Sequence, residues 1–200
     1  TLSNEDNEDK VAPDSIIHIC KKNKLKEFFL VDDSMGGFLE AYQNSKENKL
    51  QLIYGLRVTI CADMLSKNEE SLSSNSKYII FIKNTEGYKD LIKINDMAAK
   101  DGFYYEPRID FQHLQSLWTK NLMLCVPFYD SFIFKNILQG KTCIPEFEFI
   151  KDVNFFIEDN NLPFDHLLKQ AVLEFTNDGT DYPIVESQSI YYNNREDFKA

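Results

Sequence analysis

The stretch Ile80-Phe81-Ile82-Lys83-Asn84-Thr85-Glu86-Gly87-Tyr88-Lys89-Asp90-Leu91 decides how this chain is read. Lys77 to Ile82 is an apolar run short enough for a buried strand, and the polar residues after it end that strand. Thr85 is expected to cap the helix that follows, with Leu91, Ile92 and Ile94 as its buried positions. A strand, a short polar turn and an amphipathic helix make one βα unit.

The same pattern recurs on both sides. Toward the amino end, Leu50 to Ile60 reads as a strand interrupted by Gly55, and Phe28-Phe29-Leu30-Val31 as a buried strand ending at Asp32-Asp33. Gly36-Gly37 opens a helix with Phe38, Leu39, Ala41 and Tyr42 facing inward, and Ala12-Pro13-Asp14-Ser15 starts an earlier one. Residues 63–76 are rich in Ser, Asn and Glu and read as a surface loop with little order.

Toward the carboxyl end, Asp110 caps a helix through Trp118, and Leu122 to Val126 is a strand. A helix from about Asp130 to Leu138 ends near Gly140. Phe147, Phe149, Val153, Phe155 and Ile157 predict one or two strands within 145–157. A helix over Pro163 to Phe175, a strand at Pro183-Ile184-Val185 and a helix from Asn194 to Ala200 complete the reading. Strands alternating with helices argue for parallel βα units, and six or seven of them favour a barrel over an open sheet. All 200 residues are expected to form one domain.

Composition narrows the function. The net charge is −10 and the pI about 4.8. Gripping nucleic acid by its phosphates calls for a basic stripe, and none is present. The densest charged run, Glu5 to Asp9, is acidic. Cys20, Cys61, Cys125 and Cys143 form no CxxC pair, and the first three lie in apolar segments, which predicts reduced, buried thiols. No signal peptide, membrane-spanning run or lipidation motif is found, so the expected compartment is the cytoplasm. There is no GxGxxG and no Walker A loop.

Four segments together carry a resemblance. Phe29-Leu30-Val31-Asp32-Asp33-Ser34-Met35-Gly36-Gly37 is similar to a family strand and turn "A-L-T-D-H-G-N-M-x-G". Leu52-Ile53-Tyr54-Gly55-Leu56-Arg57-Val58 resembles "P-I-I-G-C-E-x-Y". The opening stretch resembles "L-L-A-K-N-x-x-G-Y-x-N-L", and Gly102-Phe103-Tyr104-Tyr105-Glu106-Pro107-Arg108-Ile109-Asp110 resembles "G-F-Y-Y-K-P-R-I-D". In this order they resemble the PHP (polymerase and histidinol phosphatase) domain of the bacterial replicative DNA polymerase III alpha subunit. The resemblance implies a distorted (βα)7 barrel of the PHP type, its first strand incomplete or missing. It also implies a trinuclear metal site at the carboxyl ends of the strands, which needs about nine His, Asp, Glu or Cys ligands.

Transferred position by position, most of those ligands are lost. The opening His-x-His motif would end near Leu2, and an acidic ligand falls on Asp9. A family His falls on Asp33, still an oxygen donor, and a Glu falls on Arg57. Another His falls near Lys77, and a Cys or His near Phe128. The closing "Asn-Asp-x-His" falls on Gln188-Ser189-Ile190-Tyr191, placing the two ligands at Ser189 and Tyr191. Arg57 and Lys77 would repel a metal, and the expectation is that they compensate acids such as Asp9 and Asp33 instead. No metal or other cofactor is expected.

Plainer readings of the same residues are surface or packing roles for His18, His113 and His166, and a loop or cap for Asp9. Asp32-Asp33 suits a turn. Arg108 suits an ion pair with a neighbouring acid, or else a phosphate. Phe147 to Phe156 suits core or an interdomain contact. The functional expectation is a noncatalytic domain of a replicative polymerase, packed against polymerase core domains or other replication proteins. A longer parent chain would be a DNA-directed DNA polymerase. The alternatives are a metal-dependent phosphoesterase or 3′–5′ proofreading exonuclease, and a stand-alone interaction protein from a mobile element or phage.

Overall fold

The computed structural model describes residues 16–178 and 181–190. The backbone divides into two compact units, Thr1–Leu56 with Ser189–Ala200, and Arg57–Gln188. Among the described residues there are seven β-strands and six α-helices, the mixed α/β class that the alternating pattern predicts.

In the first unit, α1 (Ile16–Lys22) turns Ile17 and Cys20 inward at i and i+3. The start expected at Ala12 to Ser15 lies outside the described residues. After β1 (Glu27–Asp32) and α2 (Phe38–Glu47), β2 (Gln51–Cys61) returns parallel to β1, from Glu27↔Gln51 to Asp32↔Leu56. Parallel neighbours need a crossover, and α2 provides it. Its buried stripe is Phe38, Ala41 and Ser45, with the Phe38 ring 4.4 Å from that of Tyr54. The Tyr54 hydroxyl donates to the Ser34 carbonyl at 2.9 Å, tying the turn after β1 to β2. Gly55 does not interrupt β2 as expected. It pairs with Val31, and the buried Tyr54 and Leu56 on either side offset the entropy a strand glycine loses.

The second unit holds the remainder of β2 with β3 (Ser76–Ile82), α3 (Thr85–Lys100), β4 (Arg108–Asp110) and α4 (Phe111–Leu117). There follow β5 (Leu122–Val126), α5 (Phe132–Leu138), β6 (Val153–Ile157), α6 (Asp165–Asn177) and β7 (Ile184–Glu186). The strand order is β2-β3-β5-β6-β7, with β4 also on β2. β5, β6 and β7 are mutually parallel, and β4 is parallel to β2. β3 and β5 run antiparallel, from Ile79↔Cys125 to Ile82↔Leu122. This departs from an all-parallel set. β5 does not directly follow β3 in the chain, because β4 and two helices intervene, so no single crossover forces the two into one direction.

The core of this unit is apolar on both sides of the sheet. Ile80, Leu124 and Phe155 are fully buried in β3, β5 and β6, and Leu91 and Ile94 of α3 are equally buried. Phe147 lies 6.3 Å from Phe155 and 5.9 Å from Tyr182, so it belongs to the core. It is not in a strand, however, and 145–157 contains one strand, not two. Cys143, Phe147 and Ile150 turn inward at spacings of three to four along an irregular segment, which the apparent alternation concealed.

Local signals were also redistributed at turns. Asn84, not Thr85, caps α3, accepting from the Gly87 N–H at 2.9 Å. An N-cap must lie outside the helix for its oxygen to reach the third helical N–H, and Thr85 already has helical geometry. Residues 63–76 lie on the surface but are far from shapeless. Met64 is buried, and Glu70–Ser74 forms a 3₁₀ turn. The helix expected over Pro163 to Phe175 spans Asp165–Asn177, and the one expected from Asn194 lies outside the described residues.

Candidate functional site

β2, β3 and the segment entering β4 bring three polar side chains to one point. Lys77 on β3 donates from Nζ to Glu106 Oε2 at 2.6 Å and to Thr59 Oγ1 at 2.7 Å. Thr59, on β2, donates in turn to the same Glu106 oxygen at 2.8 Å. Asn75 Nδ2 reaches the other oxygen, Oε1, at 3.2 Å. Burial by itself would raise the Glu106 carboxyl. The hydrogen bonds from Lys77 and Thr59, the Lys77 charge and Asn75 outweigh it, holding the carboxyl below its ordinary value.

The expectation that Lys77 compensates Asp9 or Asp33 involves a residue outside the described ones and another in the first unit. The anion of Lys77 is Glu106, which becomes its neighbour because Thr59↔Arg108 pairing sets the end of β4 beside β2. Asp33 is exposed in the turn after β1, where its N–H donates to Asp32 Oδ1 at 2.7 Å. Arg57 is half-buried in β2. Phe128 is fully buried beyond the end of β5, its ring 4.9 Å from that of Tyr129. Ser189 is exposed, and Leu2, Asp9 and Tyr191 lie outside the described residues.

Arg108 overturns both readings made for it. It is completely buried and binds neither a neighbouring acid nor an outward-facing phosphate site. Nε donates to the Gly102 carbonyl at 3.3 Å, Nη1 to Ser71 Oγ at 3.0 Å and Nη2 to the Ser66 carbonyl at 3.1 Å. The guanidinium also lies 5.2 Å from the centre of the Tyr104 ring. Through Ser66 and Ser71 the buried guanidinium braces the 63–76 loop against Gly102.

Two clusters were missed by the sequence reading. Asp110 caps α4 through the His113 N–H at 2.8 Å, and its Oδ1 and Oδ2 lie 2.7 and 2.9 Å from His113 Nδ1. Oδ2 also accepts the Met64 N–H at 3.1 Å. The cap was legible, but the long-range contact was not. At the carboxyl ends of β5 and β6, the Tyr129 hydroxyl donates to Asp165 Oδ1 at 2.9 Å. Asp165 Oδ2 takes the Asn160 and Leu162 N–H groups, each at 3.0 Å. Asn160 Nδ2 spans Tyr129 and the buried Glu158, at 3.1 and 3.2 Å. Burial first, then the Asp165 and Glu158 carboxylates, push the Tyr129 phenol up to about 12 against the opposing Asn160 bond. The only local signal for this cluster was Asp165 in the first turn of α6.

Among the described residues no group of three or more His, Cys, Asp or Glu side chains is arranged to hold a metal ion. Among the described positions that the resemblance assigns to ligands, Asp33 offers an anionic oxygen, beside Arg57, Lys77, Phe128 and Ser189. A guanidinium, an ammonium and a phenyl ring cannot ligate a divalent cation. The donors at these described positions do not by themselves make up a trinuclear centre.

Comparison with known proteins agrees with the fold. The PHP domain family matches residues 7–161. DNA polymerase III subunit alpha of Borreliella burgdorferi is 24% identical over 195 residues, which cover 92% of this chain and 17% of that protein. The subunit of the same name from Aquifex aeolicus is 28% identical over 130 residues, 62% of this chain and 11% of that protein. The Chlamydia trachomatis subunit is 33% identical over 89 residues, 44% of this chain and 7% of that protein. The chain thus spans less than a fifth of the length of these relatives. With more than half of its residues matched by the family, and strands and helices in the order the motifs require, the chain belongs to the PHP domain family.

Proposed function

We propose that this chain is a noncatalytic PHP-like domain of a DNA polymerase III alpha-type replicative polymerase. It acts in the cytoplasm as structural or regulatory support, packed on polymerase core domains or on other replication proteins. The observation that carries this reading is the occupancy of the family's ligand positions by Arg57, Lys77 and Phe128. Metal-assisted phosphoester hydrolysis needs a cation to generate hydroxide, and neither a guanidinium nor an ammonium can ligate one. The net charge of −10 adds support, since holding DNA by its phosphates requires the opposite sign.

Elemental analysis of the purified chain, paired with a nuclease assay supplemented with manganese, tests the proposal. The expected result is no stoichiometric zinc or manganese and no hydrolysis of single-stranded DNA. Two or three ions per chain together with hydrolysis would instead establish a metal-dependent phosphoesterase or 3′–5′ exonuclease.

A further inference from the structure

We infer that the end of the first unit where α1 and α2 finish is a docking surface for an acidic segment of a partner protein. Six exposed lysines gather there: Lys21, Lys22, Lys24 and Lys26 around the end of α1, and Lys46 and Lys49 around the end of α2. The two turns lie side by side, because the Gln51 N–H donates to the Lys26 carbonyl at 2.9 Å where β1 and β2 begin. Asp32, Asp33 and Glu40 stand where β1 ends and α2 starts, so the unit carries opposite charge at its two ends. Glu27 and Glu47 share the lysine end, yet among the described residues none of these six lysines is in an ion pair. In the second unit, by contrast, six lysines from Lys77 to Lys135 each hold an acid.

The backbone gives the second observation. After α1, the Leu25 N–H donates to the Cys20 carbonyl at 2.9 Å and the Lys24 N–H to the Lys21 carbonyl at 3.1 Å. After α2, the Leu50 N–H donates to the Ser45 carbonyl at 2.9 Å and the Lys49 N–H to the Lys46 carbonyl at 3.2 Å. This closure needs a left-handed residue just past the helix, where glycine is favoured. Lys24 and Lys49 fill that place with φ of 55° and 56°, and a side chain is strained there. The helix dipoles do not require them, since Lys21, Lys22 and Lys46 already lie in the last turns. A disfavoured residue found twice at one end of a unit points to a use for its charge.

Two features favour a protein over nucleic acid as the occupant. The patch covers one end of one unit in a chain of net charge −10, so a long phosphate backbone running beyond it meets charge of its own sign. Leu25, 49% exposed between Lys24 and Lys26, offers an apolar contact. An acidic segment with a hydrophobic side chain covers it, and a phosphate backbone does not. The inference rests on the supporting role proposed above for the partner's being a replication protein, while the site itself is read from these lysines.

Fluorescence anisotropy of the whole chain tests this, with a labelled peptide of repeated Asp-Glu-Leu units and a labelled oligothymidylate of equal charge as probes. The expected result at low ionic strength is saturable binding of the peptide, weakened by salt and tighter than that of the oligothymidylate. Lys24→Gly combined with Lys49→Gly should weaken peptide binding about fivefold. Because it relieves both turns, it should also raise the melting midpoint by about 2–4 °C. A purely structural role for the two lysines would not lower affinity while raising stability. Lys22→Gln combined with Lys26→Gln should weaken binding with the midpoint unchanged, and Lys100→Gln, in the second unit, should leave binding as it is. No binding by the parent, tighter binding of the oligothymidylate, or undiminished binding by K24G/K49G would overturn the proposal. So would a lowered midpoint in K24G/K49G, which would show that the lysines serve the turns. Binding that appears only once Glu5, Asp6, Glu8 and Asp9 are made amides would assign the patch to this chain's own acidic run and refute a partner. The metal and nuclease measurements do not involve these lysines, so the two proposals can fail separately.

Discussion

Arg108 Nε donates to the Gly102 carbonyl at 3.3 Å, while a Cβ placed on Gly102 would lie 1.8 Å from the Arg108 carbonyl oxygen. The two residues therefore fix each other, one through a buried guanidinium and the other by having no side chain. The same guanidinium reaches Ser66 and Ser71, so a surface loop distant in sequence is held through this contact. Gly87 has a similar role at the start of α3, where a Cβ would come within 2.5 Å of the Asn121 carbonyl oxygen. The motifs that identify the family are in these places devices of folding. They permit close backbone approach and satisfy buried polar groups.

Gly102→Ala is expected to destabilise the chain by about 3 kcal/mol or more, because the obstructing atom is backbone and cannot swing aside. Urea unfolding followed by tyrosine and tryptophan fluorescence measures the loss. The control is Gly140→Ala, whose Cβ meets nothing within 4 Å and whose φ of +60° carries only local strain. It should cost clearly less. Equal losses for the two would show that the contact with Arg108 does not decide.

Asp90 gives an acid-side prediction. Burial alone would raise its carboxyl, but hydrogen bonds from Thr119, Lys93 and Asn121, with the Lys93 charge, bring it below its ordinary value of 3.8. A carboxyl lowered by folding contributes stability above its unfolded value and loses it as pH falls through the lower folded one. Asp90→Asn, which restores the family's residue, should therefore flatten the decline of stability below about pH 3.8. Midpoints in urea between pH 2 and 6 give the slopes. Parallel acid slopes for parent and variant would count against this account.

The four thiols give a chemical prediction. Cys20, Cys61, Cys125 and Cys143 are all free and buried. Burial pushes Cys61 up to about 11 and Cys125 to about 12, and raises Cys20 and Cys143 in the same direction. Thiolate is the reactive form, so a disulfide-exchange reagent at pH 8 should label essentially none in the folded chain. In denaturant all four cysteines should react. Rapid labelling of one thiol without denaturant would show that its site opens locally.

Much of this protein was legible in its sequence because the relevant physics is local. Side-chain spacing along a strand or helix follows from backbone geometry, so β1, β2, β3 and α4 were read close to their observed limits. The Asp110 cap was read correctly for the same reason: oxygen and N–H are separated by three residues. The failures were partner choices. Nothing within a few residues of Lys77 tells it to pair with Glu106, and nothing near Arg108 names Ser66, Ser71 and Gly102. The antiparallel direction of β3 against β5 is equally silent, since a strand buried on both faces is an apolar run whichever way its neighbour points. By itself the sequence determined which segments are strands and helices. Only the tertiary structure decided which partners the charged side chains take. Charged side chains find their counter-charge through the order of strands in the sheet, and that order is settled by the packing of the whole core, not by neighbours along the chain.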